Sequence, residues 1–441
     1  MSRNENARAA ALEMLVRCRR DASWSGAAID AAVRKYGLDR RDAALASRLC
    51  LGVLQNESLC DYYIGCFCPS KLEPVVRDIL RLGVYQILFM ERIPARAAVS
   101  ETVELCRLKG LSRAAGLTNA VLRRIAEERD ALPEIPGEGT AAYLSIRCSH
   151  PKWLCEHLIA EKGYSFAEAF LAGNNKPPRL CIQVNTLKTT TEQYAGELED
   201  AGYPFRKCEP DGCIELEKGI ASELPGYEEG LFYVQDRAAR LAVEIAAPVP
   251  GIRLLDACAC PGGKSFAAAI RMENRGSILS CDIHEKKLQV LERGAERLGI
   301  DCIQTRAMDA RIYDPLLAES FDVVIADVPC SGLGVIAKKP EIRTKDPKSL
   351  QGLPEIQLAI LENLSRYVKP GGVLLYSTCT ILKAENEEPV LRFLETHAEY
   401  RLEAFSAYNI QSESGMYTFW PNVDETDGFF AAKLRSTVKT G

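Results

Sequence analysis

The chain has 441 residues, 47% of them hydrophobic and 26% charged, with a net charge of −5. That length allows two or three domains, and the acidic balance argues against a general polyanion binder, so any nucleic-acid contact must come from local basic patches. No apolar run is long enough for a membrane helix, the polar start Met1-Ser2-Arg3-Asn4-Glu5-Asn6 has no signal-peptide character, and 17 scattered cysteines with four histidines point to reduced thiols in the cytoplasm rather than to disulfides or zinc.

Residues 1–135 read as all helical. Leu12, Leu15 and Val16 mark one amphipathic face, and Val76, Leu80, Val84 and Ile87 another. Ser100 is the expected N-cap of a helix over 101–108, and Thr118-Asn119 the expected start of the next, through Arg124. Arg107, Lys109, Arg113, Arg123 and Arg124 gather there, either as a solvated face or as an RNA-facing patch. Residues 130–139, with two prolines and two glycines, read as a linker. A small α+β unit is expected over 140–240, opening near Ser149-His150-Pro151. It has a strand within 180–190, a helix over 191–202 and short strands over 203–234; His150, alone before a proline, reads as structural.

From 241 to 441 strands and helices alternate. Strands are expected over 252–257, 277–283, 301–305, 321–326 and 372–377. Helices are expected over 263–272, 285–298, 355–368 and 383–396. This pattern predicts an α/β domain with a doubly wound parallel sheet. Two tail strands, 400–405 and 428–434, are expected to form an antiparallel edge pair.

The chemistry-bearing residues fall at strand ends, where open α/β sheets hold ligands. The stretch Leu254-Leu255-Asp256-Ala257-Cys258-Ala259-Cys260-Pro261-Gly262-Gly263-Lys264 is a strand, a tight turn and a helix start whose small residues admit a ligand close to the backbone. It has neither the spacing of a Walker loop nor the pattern G-x-G-x-x-G, so a phosphate-free, amino-acid-bearing cofactor suits it better. Asp282 is placed for ribose hydroxyls, Asp309 for an adenine edge, and Asp327 ends the fourth strand. Four acids at successive strand ends point to S-adenosyl-L-methionine, whose sulfonium favours an acidic pocket. Cys330 follows Asp327 by three residues, and Cys379 ends the fifth strand. Two thiols and a carboxylate suit methylation of a pyrimidine C5. A thiolate added to C6 turns the ring into an enamine, Asp327 holds N3 and the exocyclic amine, and the other thiol assists elimination.

Asp256-Ala-Cys-Ala-Cys-Pro-Gly-Gly-Lys264, Asp327-Val-Pro-Cys330-Ser-Gly and Ser377-Thr-Cys379 together resemble the RNA cytosine-C5 methyltransferases of the NOL/NOP/Sun family. Tyr233-Val-Gln-Asp236 and Asp427-Gly-Phe-Phe-Ala431 are similar to other family stretches, and the first domain resembles the NusB fold at 80–89 and 93–99. The resemblance implies a Rossmann-like class I methyltransferase domain over 241–441, an all-α NusB-like RNA-binding domain over 1–135 and the small α+β insert over 140–240. It assigns Cys379 as nucleophile and Cys330 to product release, with Asp327 and Lys264 beside them. Cys258, Ala259, Cys260, Pro261, Gly262, Gly263, Lys264, Asp282, Asp309 and Asp327 would hold S-adenosyl-L-methionine. The implied partner is 16S ribosomal RNA, free or in early assembly, with no membrane, no metal and a monomeric enzyme. The alternatives are the same chemistry on tRNA and a non-catalytic RNA-binding assembly factor. Two departures stand out. Cys260 replaces the usual Ala, a modest change to the pocket, and the loop 337–345 keeps its positive charge mainly as lysine where the family often has arginine.

Overall fold

In the computed structural model, which describes residues 3–20, 25–217 and 219–437, the described part of the first 130 residues is helical as its periodicity predicts. The helices are α1 (Arg3–Arg20), α2 (Ser25–Tyr36), α3 (Arg40–Gln55), α4 (Glu57–Phe67), α5 (Pro74–Phe89), α6 (Ala95–Leu108) and α7 (Ser112–Glu127). Leu12, Leu15, Leu80, Val84 and Ile87 are all buried in one core, joined by Leu49, Val53, Leu122 and Ile125. Two expected starts are corrected. α6 begins at Ala95 behind Pro94, because the apolar stripe runs back through Ala98 and Val99; Ser100 therefore lies inside the helix. α7 begins at Ser112, and Thr118 is buried within it, 3.4 Å from the Cys106 sulfur.

Helices α8 (Ala141–Arg147), α9 (Lys152–Lys162) and α10 (Tyr164–Gly173) follow, and α8 packs on α4. They belong to the helical unit, which comprises Met1–Lys176 and the segment Ile336–Lys345. The opening of the region expected over 140–240 is thus helical and packs with the helices before it. His150 is buried, with Nδ1 2.7 Å from the Cys148 carbonyl. Arg343 is also buried here. Its guanidinium donates to the carbonyls of Gln55, Ser149 and Asn174 and to Asn175 Oδ1. The charge that Arg343 brings to the loop 337–345 is therefore spent inside the helical unit.

The second unit comprises Pro177–Val335 and Asp346–Gly441. It opens with β1 (Leu180–Val184), α11 (Thr191–Asp200), β2 (Phe205–Cys208), β3 (Cys213–Leu216) and β4 (Phe232–Val234). These strands form an antiparallel sheet ordered β2-β3-β1-β4. After α12 (Arg237–Ala246) come β5 (Arg253–Asp256), α13 (Gly263–Arg271), β6 (Ser277–Asp282), α14 (Glu285–Leu298) and β7 (Ile303–Ala307). They are followed by β8 (Phe321–Asp327), α15 (Leu353–Ser365), β9 (Val368–Thr378) and α16 (Glu387–Thr396). Strands β5 to β9 are parallel in the order β7-β6-β5-β8-β9. Their apolar runs bury both faces: Leu254, Val323 and Ile325 on one side, Leu255, Val324 and Ala326 on the other.

The tail contains β10 (Tyr400–Leu402), the hairpin β11 (Phe405–Ala407) and β12 (Ile410–Ser412), then β13 (Met416–Phe419) and β14 (Phe429–Ser436). β10 and β14 pair antiparallel as expected, but β14 is no edge strand. It lies against β9 with the register Ala431↔Ser377, and its Phe430, Ala432 and Leu434 are fully buried. The strand order reverses between β5 and β8, which opens a crevice beyond their carboxyl ends.

Candidate active site

Asp256 ends β5 and is completely buried. Ser265 Oγ donates to its Oδ2 at 2.7 Å. Burial pushes the Asp256 carboxyl up to about 6, against the opposing pull of Ser265 and Lys264. Its Oδ1 is buried without a hydrogen bond of ordinary geometry. The turn that follows is closed by Ala259 N–H donating to the Cys281 carbonyl and by Gly262 N–H donating to that of Ala259, both at 2.7 Å. Gly262 has φ +116°, and a Cβ there would come within 2.6 Å of the Phe266 ring. A side chain is thus excluded at this tight turn, where Phe266 and Leu291 pack against the backbone. A bare turn, the Asp256 carboxylate behind it and Asp282 beyond β6 suit a ligand that donates hydrogen bonds and carries positive charge. That set of acceptors fits S-adenosyl-L-methionine.

The other expected cofactor residues are placed as follows. Asp282 is half-buried and accepts the His284 N–H at 2.8 Å. Asp309 lies beyond β7, brought towards Asp282 by Met308 N–H donating to the Asp282 carbonyl. Its carboxylate is taken by Arg311, whose Nε and Nη2 lie 2.9 and 2.6 Å from its oxygens. Burial raises the Cys258 thiol, and burial followed by Asp282 pushes Cys260 up to about 12, so both turn cysteines stay protonated at neutral pH.

Asp327 ends β8 in register with Ser377 of β9. Ser377 Oγ donates to its Oδ1 at 2.8 Å, and Lys264 Nζ to its Oδ2 at 2.7 Å. Burial works against the Lys264 ammonium, but Asp327 and Asp256 outweigh it and hold the lysine charged. The ammonium also sits 5.0 Å from the centroid of the Phe429 ring. Ser377 and Phe429 were not expected as neighbours of Asp327, although both lie in stretches the motif reading had already marked.

The parallel alignment of β8 and β9 carries the two loop cysteines together. Cys330 Sγ and Cys379 Sγ are 3.1 Å apart and half-buried. The hydrogen bond to Cys379, followed by burial, pushes the Cys330 thiol well up. Such a site offers two soft thiols in contact and a fixed carboxylate.

The family model for the 16S rRNA methyltransferase RsmB/F matches residues 243–435, that for the NusB family residues 5–127, and that for an RsmF/B-like ferredoxin-like domain residues 150–223. The probable ribosomal RNA small subunit methyltransferase B of Bacillus subtilis (strain 168) is 32% identical over 96% of this chain and 97% of its own. That of Synechocystis sp. is 33% identical over 95% and 96%. The crystal structure of PH0851 superposes with a TM-score of 0.82 at 27% identity, covering 98% of both chains. Coverage of this extent, with the NusB, ferredoxin-like and methyltransferase modules in order, means that the chain belongs to the RsmB/F family of 16S rRNA methyltransferases.

Proposed function

We propose that this chain transfers a methyl group from S-adenosyl-L-methionine to C5 of a cytidine in 16S ribosomal RNA, through a covalent adduct between Cys379 and C6. The observation that carries this reading is the 3.1 Å approach of Cys330 and Cys379 beside the tethered Asp327. S-adenosyl-L-methionine, held by the turn 258–264 with Asp282 and Asp309, supplies an electrophilic methyl. The Cys379 thiolate adds to C6 and makes C5 nucleophilic. Asp327 accepts from the exocyclic amine, and Lys264 and Ser377 keep its carboxylate aimed. Once the Cys379 sulfur is bonded to C6 it no longer accepts a hydrogen bond from Cys330. Cys330 gives its own proton to solvent and, as a thiolate, takes the C5 proton; the C5–C6 double bond re-forms, and the Cys379 thiolate leaves.

The base must be unstacked to reach the thiols, so the substrate is a loop or single strand in free or early-assembly RNA. A groove of about 590 Å³ between α6 and α7, lined by Arg96, Arg107, Asn119 and Arg123, supports backbone contacts by the helical unit. Other basic residues nearby are partly engaged: Arg124 packs over the Phe67 ring, and Lys109 reaches the Tyr36 hydroxyl. No helix among the described residues is long and apolar enough to cross a membrane. We place the enzyme in the cytoplasm, acting as a monomer without a metal. Labelled methyl transfer to naked 16S rRNA, with bisulfite sequencing of the product, tests the reading. One protected cytidine is expected. Transfer to purified tRNA instead, or to no RNA at all, would overturn it.

A further inference from the structure

Three buried polar side chains that have no part in the chemistry above bracket the two thiols. Gln357 of α15 donates from Nε2 to the Pro329 carbonyl at 3.0 Å and to Glu385 Oε2 at 2.9 Å. The Ser331 N–H donates to the same Glu385 oxygen at 2.8 Å. The peptide groups on both sides of Cys330 are therefore held by one Gln–Glu pair. The next residue, Asn386, bonds the two residues that flank Cys379. Its Oδ1 accepts from Thr378 Oγ1 at 2.6 Å, and its Nδ2 donates to the Thr380 carbonyl at 3.2 Å. Two direct ties join the loops: Ser331 Oγ lies 2.6 Å from Thr380 Oγ1, and Gly334 N–H donates to the Cys379 carbonyl at 3.0 Å. Gln357, Asn386, Ser331, Thr378 and Thr380 are completely buried, and Glu385 is 2% exposed. A carboxylate buried without a paired cation is costly unless hydrogen bonds repay its lost hydration. Among the described residues, the bonds to the Glu385 side chain come from Gln357 and from Ser331 and Thr380, which flank the two cysteines.

We propose that Glu385 and Asn386 are the positioning residues of the thiol pair: Glu385, with Gln357, sets Cys330 for release, and Asn386 sets Cys379 for attack. This rests on the covalent-adduct reading. Both sulfurs must meet one pyrimidine ring, Cys379 at C6 and Cys330 at the C5 proton. A misplacement near 1 Å costs on the order of 100-fold in rate. Glu385 bears mainly on the Cys330 loop, its bond from Thr380 Oγ1 being long at 3.5 Å, and Asn386 bears on the Cys379 loop, so each half-reaction has its own main support.

The test uses the full chain with 16S rRNA and labelled cofactor, scoring turnover, covalent RNA–protein complex on a denaturing gel, KM for the cofactor and thermal midpoint. Glu385→Gln and Gln357→Met should lower turnover at least tenfold while the covalent complex accumulates, as in Cys330→Ala. Asn386→Ala should lower turnover about 100-fold with no complex, and Asn386→Asp, which keeps the acceptor for Thr378, should recover part of it. KM for the cofactor should stay within twofold. Parallel losses of turnover that follow the thermal midpoint, with no divergence in complex formation, would overturn the inference. A readout without RNA separates it from the mechanism. Diamide, itself reduced to the hydrazine as it takes the two thiol hydrogens, should join Cys330 to Cys379 in the native chain, and at least fivefold more slowly in Asn386→Ala and Glu385→Gln. If Cys330→Ala forms no complex, the adduct reading fails and the diamide rates still decide the positioning role. If it does form and Glu385→Gln matches the native chain in both assays, the positioning role alone fails.

Discussion

Asp256 carries a carboxylate that folding removes wholly from water. Burial raises its pKa from an ordinary 3.8 to about 6, with Ser265 and Lys264 opposing the shift. A raised folded-state pKa contributes stability that is complete below the unfolded value and is lost as pH rises through the folded one. The stability of the native chain relative to Asp256→Asn should therefore fall by about 2 kcal/mol between pH 4 and pH 7. Urea unfolding of both proteins across that range measures it, and a pH-independent difference would contradict the burial argument. Asp256, Asp327, Cys330 and Cys379 were all legible from strand ends, because a strand fixes where its last side chain stands. Glu385 was visible as a residue but not as a role. Its meaning comes from Ser331, 54 positions earlier, and that contact exists only after β8 and β9 lie side by side.

At the scale of elements, the β/α alternation after residue 250 was read closely because each strand is an apolar run between turn residues. The helix starts at Ala95 and Ser112 were missed for a local reason. Ser100 and Thr118 are good caps in isolation, but the buried stripes that include Ala98 and Thr118 prolong both helices towards their N-termini. The position of β14 was missed because pairing partners are tertiary. The segment 336–345 differs most from its expectation. Its positive charge was the feature read from the sequence, yet Arg343 is buried, and burial draws its pKa down to about 9. Its fork of donors satisfies carbonyls around the end of α3, the turn before α9 and the end of α10. Arg343→Met should destabilise the helical unit by about 3 kcal/mol, since several buried acceptors lose their donors. Arg343→Lys should recover little, because one ammonium cannot reproduce the planar fork. Urea midpoints test this; unchanged midpoints with weakened RNA binding would return the arginine to the RNA.

Over the whole molecule, three modules follow one another: helices of the NusB type, a ferredoxin-like sheet and a methyltransferase sheet. The net charge of −5 leaves the basic groove between α6 and α7 as a local exception, as expected of a protein that meets RNA at chosen sites. Fold and family were readable because motif order and spacing run through nearly the entire chain, whereas the RNA target is set by surface shape that spacing does not encode. The central claim is that Cys379 attacks and Cys330 releases. The most direct measurement incubates Cys330→Ala and Cys379→Ala separately with 16S rRNA and S-adenosyl-L-methionine and resolves them on denaturing gels. A covalent RNA–protein band with Cys330→Ala and none with Cys379→Ala is the predicted result. A band with Cys379→Ala, or methyl transfer retained by that variant, would contradict it.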